Sequence, residues 1–100
     1  MNIEQISFGI ISFAGDSFYQ MKEAIQSAKK KDFDKANEFM AEAKKLLREA
    51  HDIHTKIIVG EAGGEKAEYS VLLSHAQDTM MNAVLFETIA EELIDVYKTR

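Results

Sequence analysis

Apolar residues recur at intervals of three and four along almost the whole chain. Starting at Ile3, the series Ile6, Ile10, Phe13, Ala14, Phe18, Met21, Ile25 and Ala28 follows the repeat of an amphipathic helix. The spacing predicts a first helix over about 3–30. Gly9 and Gly15 fall inside it. Each lowers helix propensity by up to about 1 kcal/mol, so each marks either a close helix approach or a locally weaker helix. Lys29-Lys30-Lys31 places positive charge where the dipole of a helix C-terminus favours it. Asp32 then reads as the N-cap of a second helix, with Asp34 in its first turn. That helix is expected over about 33–59, on a stripe of Phe33, Ala36, Phe39, Met40, Ala43, Leu46, Leu47, Ala50, Ile53 and Ile57. Gly60-Glu61-Ala62-Gly63-Gly64 is the clearest loop.

A third helix is expected over about 66–97. Its apolar positions include Val71, Leu72, Leu73, Met80, Met81, Ala83, Val84, Phe86, Ile89, Ala90, Leu93, Ile94 and Tyr97, and they cover more than one face. A helix apolar on two sides needs partners on two sides, and in a three-helix monomer one of those sides stays wet. The pattern therefore implies self-association. Both connections are short, which makes neighbouring helices antiparallel in an up-down-up bundle. No segment alternates with period two, so strands are not expected.

Composition narrows this picture. The chain has 100 residues, no Pro and 5 Gly, so little interrupts long helices. The length suits one domain, 1–100, with a modest core of its own. The absence of Cys excludes disulfides, thiolate catalysis and Cys-ligated metal sites. A net charge of -5 argues against nucleic acid, whose backbone requires a positive footprint. No run is apolar for the roughly 20 residues a membrane span needs. The opening Met1-Asn2-Ile3-Glu4 does not read as a secretory signal, and a cytoplasmic protein is expected.

Three histidines carry the candidate chemistry. His51 and His54, three apart, can share a metal, although no accompanying zinc motif is present; a polar-faced and a partly packed histidine is the other reading. His75 lies in Ser74-His75-Ala76-Gln77-Asp78-Thr79-Met80-Met81-Asn82, a polar stretch within the most apolar helix. Asp78 is i+3 from His75 and shares a stripe with Val71, Met81 and Leu85. A carboxylate on such a seam is unfavourable unless paired, protonated or metal-bound. In a symmetric trimer three copies would converge, and a cation would offset their charge. A register-setting polar layer, a functional site and plain surface polarity all fit these residues. Because a neutral imidazole nitrogen is unprotonated near pH 7, a reactive histidine with no cofactor fold suits a phosphoryl acceptor.

Val71-Leu72-Leu73-Ser74-His75-Ala76-Gln77-Asp78, followed by Met80-Met81, resembles the IIA component of the lactose/cellobiose (N,N'-diacetylchitobiose) branch of the bacterial phosphoenolpyruvate-dependent sugar phosphotransferase system. Gly9, Ala14-Gly15-Asp16, Lys31 in place of a turn glycine before Asp32-Phe33, Ala50-His51, Thr55, Glu61-Ala62-Gly63-Gly64-Glu65 and Tyr69-Ser70 extend the likeness over about residues 5–98. The resemblance implies an all-α, homotrimeric nine-helix bundle built from three-helix subunits. It implies a phosphohistidine at His75, with Nε2 the expected atom. The donor would be phospho-HPr and the acceptor a cysteine of the cognate IIB component. IIB in turn serves the IIC permease during uptake of a β-linked disaccharide of cellobiose, chitobiose or lactose type. The family's metal-binding aspartate falls on Asp78, implying one divalent cation, Mg²⁺, per trimer. Gln77 and Thr79 fall where they can support the site. Two positions depart from the family pattern: Thr79 stands where another histidine is common, and His54 where glutamine is common. A non-catalytic oligomeric helical adaptor and a metal-binding bundle are the alternative readings.

Overall fold

The computed structural model describes residues 2–100. Three helices follow one another: α1 (Ile3–Lys29), α2 (Phe33–Ala62) and α3 (Val71–Lys98). They make an elongated bundle 51 Å long and 19 by 18 Å across. The all-α, three-helix expectation holds. Among the described residues, no helix is long and apolar enough to cross a membrane.

Each helix starts on a side-chain cap that satisfies an otherwise orphaned backbone N–H. Asn2 Oδ1 accepts from the Gln5 N–H at 2.9 Å. Asp32, the expected cap of α2, accepts from the Lys35 N–H at 3.1 Å. Ser70 Oγ accepts from the Leu73 N–H at 3.0 Å.

The turn between α1 and α2 is a Schellman closure. The Asp32 N–H reaches back to the Ser27 carbonyl at 3.0 Å, and the Lys31 N–H reaches the Ala28 carbonyl at 2.9 Å. This geometry requires a left-handed residue, and Lys31 supplies it at φ 64°. Lys31 thus fills the place of a turn glycine, as the resemblance implied. The same device ends α2: the Glu65 N–H bonds the Gly60 carbonyl at 2.9 Å and the Gly64 N–H bonds Glu61 at 3.0 Å, with Gly64 at φ 94°.

Two boundaries differ from expectation. α2 runs through Gly60 to Ala62 instead of stopping near 59, because Gly64 is the glycine whose backbone turns the chain. α3 begins at Val71 instead of about 66. Glu65-Lys66-Ala67-Glu68 consists of helix formers, but the chain after Gly64 stays irregular until Ser70, at φ -150° and ψ 149°, caps the apolar run.

α1 is the central element. It packs extensively against both α2 and α3, whereas α2 and α3 touch only sparsely. Alanine supplies nine of the eighteen buried hydrophobic side chains among the described residues, so the helices approach closely with little side-chain volume between them. Ser17, fully buried on α1, donates to the Ala43 carbonyl of α2 at 2.7 Å. Gly9 marks a close approach, because a Cβ there would lie 3.2 Å from Ile53 Cδ1. Gly15 does not, since a Cβ there would meet nothing within 4 Å.

The outward face of α3 remains uncovered. Val71, Leu85, Met81 and Val96 are 76%, 61%, 51% and 49% exposed. Ile89 and Leu93 are also exposed, and Asp78 and Asn82 lie among them. The two-sided hydrophobicity read from the sequence is therefore real: one side of α3 meets α1 and the core, and the other meets nothing in the single chain.

Gly15→Ala should raise stability by about 0.5–1 kcal/mol, the propensity gain at an open helix position. Gly9→Ala should gain less or lose, because Ile53 must give way. Urea unfolding at one fixed protein concentration checks both.

Candidate functional site

His75 is the fifth residue after the Ser70 cap, which puts the histidine in the second turn of α3. Its side chain is exposed. Among the described residues no side-chain hydrogen bond engages its ring, so both ring nitrogens face a visitor unencumbered. The helix beneath it is well anchored: Leu73, Ala76 and Met80 are all buried. A rigid backbone with a free imidazole on its outer side is a sound arrangement for meeting a protein-bound group.

The supporting residues fall differently. Thr79 Oγ1 donates to the carbonyl of His75 at 2.7 Å. The hydroxyl proton is thus engaged within the helix, one turn back along the chain, and does not point to the His75 ring. Gln77 is two residues from His75, and such neighbours lie on different sides of a helix. It is half-buried toward α2, where its Nε2 lies 3.1 Å from His54 Nε2. Within one chain the structure does not bring Gln77 and His75 together. Asp78 does share the outward side with His75, at spacing i+3, and is exposed.

The expectation of bound Mg²⁺ at Asp78 is corrected. Among the described residues no group of three or more His, Cys, Asp or Glu side chains comes together to hold a metal ion. Mg²⁺ demands a near-octahedral set of six oxygens, and Asp78 offers one carboxylate on the exposed side of a helix. Nor does a third His, Cys, Asp or Glu side chain join His51 and His54 among the described residues.

Those two histidines have separate surroundings. Exposed His51 has Thr55 Oγ1 3.5 Å from its Nδ1, and that hydroxyl donates to the His51 carbonyl at 2.9 Å. His54 is half-buried between α2 and α3. Burial first, and repulsion from His51 second, hold its imidazole below the ordinary histidine value of 6.5. Nothing in the spacing of His54 and Gln77, 23 residues apart on different helices, signalled that they pair; only the antiparallel register of α2 and α3 places them level.

Lowering the folded-state value of His54 means that the unfolded chain takes up this proton first. The stability it supports is full above pH 6.5 and is lost as pH falls through the lowered value. His54→Gln should therefore lose less stability than the parent between about pH 7 and about pH 5, measured as urea midpoints at the two pH values.

The model of the family "PTS system, Lactose/Cellobiose specific IIA subunit" matches residues 5–98. The cellobiose-specific enzyme IIA of Bacillus anthracis superposes with a TM-score of 0.96 at 44% identity, over 99% of this chain and 91% of that one. The lichenan-specific phosphotransferase enzyme IIA component of Bacillus subtilis (strain 168) is 41% identical over 96 residues, which is 96% of this chain and 87% of that protein. IIA(Chitobiose), solved in complex with HPr from the N,N'-diacetylchitobiose branch of the Escherichia coli phosphotransferase system, gives a TM-score of 0.84 at 32% identity. That match covers 99% of this chain and 96% of the other.

Proposed function

Because the chain belongs to the lactose/cellobiose-specific IIA subunit family of the sugar phosphotransferase system, we propose that His75 is the residue on which it carries the phosphoryl group. The chain is a phosphocarrier component, relaying phosphate between HPr and IIB. The observation that carries the assignment is the state of the imidazole. His75 is exposed on α3 with its ring nitrogens free among the described residues, whereas His54 is bonded to Gln77 and His51 has Thr55 against its Nδ1.

A free neutral nitrogen of His75, Nε2 on this reading, attacks phosphorus in line. The bond from phosphorus to the donor breaks as the new P–N bond forms. The reverse logic delivers the group to a cysteine of IIB. The chain's contribution is position: a fixed helix carries the nucleophile at a surface that two different partners can reach in turn. HPr is the partner present in a solved relative, and IIB and, through it, the IIC permease complete the relay. The family's lactose/cellobiose specificity supports a β-linked disaccharide as the cargo. The whole chain serves as one IIA domain, working in the cytoplasm. Mixing it with phosphoenolpyruvate, Enzyme I and HPr should label one site per chain, and His75→Gln should abolish that label; label that persists in the variant sinks the assignment and favours a passive helical adaptor or another acceptor.

The working form on this reading is a homotrimer, a nine-helix assembly. The support is the uncovered stripe of α3, in which Val71, Asp78, Leu85, Ile89 and Val96 recur on one side of the helix and four of the five are apolar. One helix face of this kind on each subunit is the raw material of a seam. Asp78 is then the residue least suited to burial in it, and replacing a buried charge by a hydrocarbon is often neutral or stabilising. Asp78→Leu should sediment as a trimer at least as stable as the parent on dilution. A monomeric variant would count against placing Asp78 on the seam.

A further inference from the structure

We propose that His54 is a positioning residue for the phosphoryl relay: its imidazole, bonded across the α2–α3 seam to Gln77, fixes that carboxamide and holds the first turns of α3, where His75 is displayed, against α2. The proposal rests on the reading of His75 as the phosphoryl acceptor.

The case begins with how weakly α2 and α3 are joined. Each packs mainly on α1 and only sparsely on the other. Among the described residues, three contacts through a polar or charged side chain link them: Lys98 Nζ lies 5.9 Å from the centre of the Phe33 ring, at the far end of α3 from His75, and there are two others. One is the ion pair between Lys44 Nζ and Glu91 Oε1 at 2.8 Å, whose side chains are 48% and 45% exposed. Such an exposed pair contributes little, and it lies toward the far end of α3 from His75. The other is the half-buried contact of His54 with Gln77 at 3.1 Å. It is level with the second turn of α3, two residues from His75. Partial burial makes it the more consequential tie, since a polar group that loses its partner away from water is penalised.

The contact also has a defined polarity. A carboxamide nitrogen is a donor only. With Gln77 Nε2 donating, His54 Nε2 must be the unprotonated nitrogen, and its proton sits on Nδ1. Protonating His54 puts an N–H on both sides of the contact. The carboxamide must then turn over about its last torsion, bringing Oε1 inward to accept and sending the NH₂ group outward. The outward end of Gln77 thereby changes from acceptor to donor, and the tie between the helices is rebuilt.

The groups around His54 bear on when this happens. On α2 the neighbour is His51, whose charge opposes a second positive charge; on α3 it is the neutral carboxamide of Gln77. Burial and His51 therefore keep His54 neutral at neutral pH and delay the turnover to more acid conditions. Glutamine at this position would keep a hydrogen-bonding group and remove the titration.

The test is a ¹⁵N NMR titration of the intact protein between about pH 5 and about pH 8, paired with the rate of phosphoryl transfer from phospho-HPr over the same range. Neutral His54 should appear as the Nδ1–H tautomer, and the Gln77 side-chain amide resonances should move with the His54 midpoint. His54→Gln should abolish that movement, transfer within about two-fold of the parent rate at neutral pH, and lack the acid-range step that the parent shows. His54→Ala should transfer more slowly throughout. A Gln77 amide that does not respond to pH overturns the proposal. So does an acid-range step that survives in His54→Gln, or parental transfer by His54→Ala. The resonances are read without phosphoryl transfer. A failure of His75 to accept phosphate would therefore sink the acceptor assignment while the spectra still decide the contact.

Discussion

The close packing of α2 and α3 on a shared central helix is the constraint from which the remaining features follow. α1 presents small residues at its contacts, with Ala14, Ala24 and Ala28 fully buried. Gly9 makes room for Ile53, and Ser17 reaches the backbone of α2. Small side chains let backbones approach and give good dispersion contact, but each alanine removes little apolar area from water. A core built this way is thin for its length. It also fixes a geometry in which α2 and α3 stand on α1 and barely on one another. Two consequences appear on the surface. α3 keeps a second apolar face, and the seam between α2 and α3 depends on a few polar contacts.

The same constraint explains which features the sequence reveals. Helical periodicity is strong wherever a face meets α1, so the three helices, their antiparallel order and the surplus apolar face of α3 are all legible. The cap at Asp32 was legible because an acceptor side chain follows a run of lysines and precedes an apolar repeat. The start of α3 was not, because Glu65-Lys66-Ala67-Glu68 has the propensity of a helix and only Ser70 has the chemistry of a cap. The end of α2 was misplaced because five residues with three glycines do not say which glycine takes the left-handed turn; Gly64 does.

At the site, local and non-local information separate in the same way. His75 stood out because a titratable residue sits in an apolar helix. Its relation to Asp78 followed from helical spacing. The partners of Gln77 and Thr79 did not follow. Thr79 turns back to its own helix, a choice open to any threonine in a helix interior. Gln77 turns to α2, which depends on the register of two helices whose contact is slight. The metal expectation failed for a related reason. It rested on the family resemblance and on three copies of Asp78 converging in a trimer, whereas Asp78 is exposed in the single chain and no group of three or more His, Cys, Asp or Glu side chains gathers among the described residues.

A carrier that hands a phosphoryl group from one protein to another has competing requirements: the nucleophile must be accessible to both, and it must not wander. With His75 as the proposed acceptor, the bundle meets the first by placing it on the outer side of α3 and the second by burying the residues that flank it, Leu73, Ala76 and Met80. What burial on α1 does not control is the freedom of α3 against α2. That degree of freedom is governed at the His75 end by a contact between an imidazole and a carboxamide. Most of the helix's rigidity is hydrophobic and insensitive to pH, whereas the tie nearest the proposed acceptor is polar and titratable. A single protonation can therefore act on the presentation of His75 without disturbing the packing that holds the bundle together.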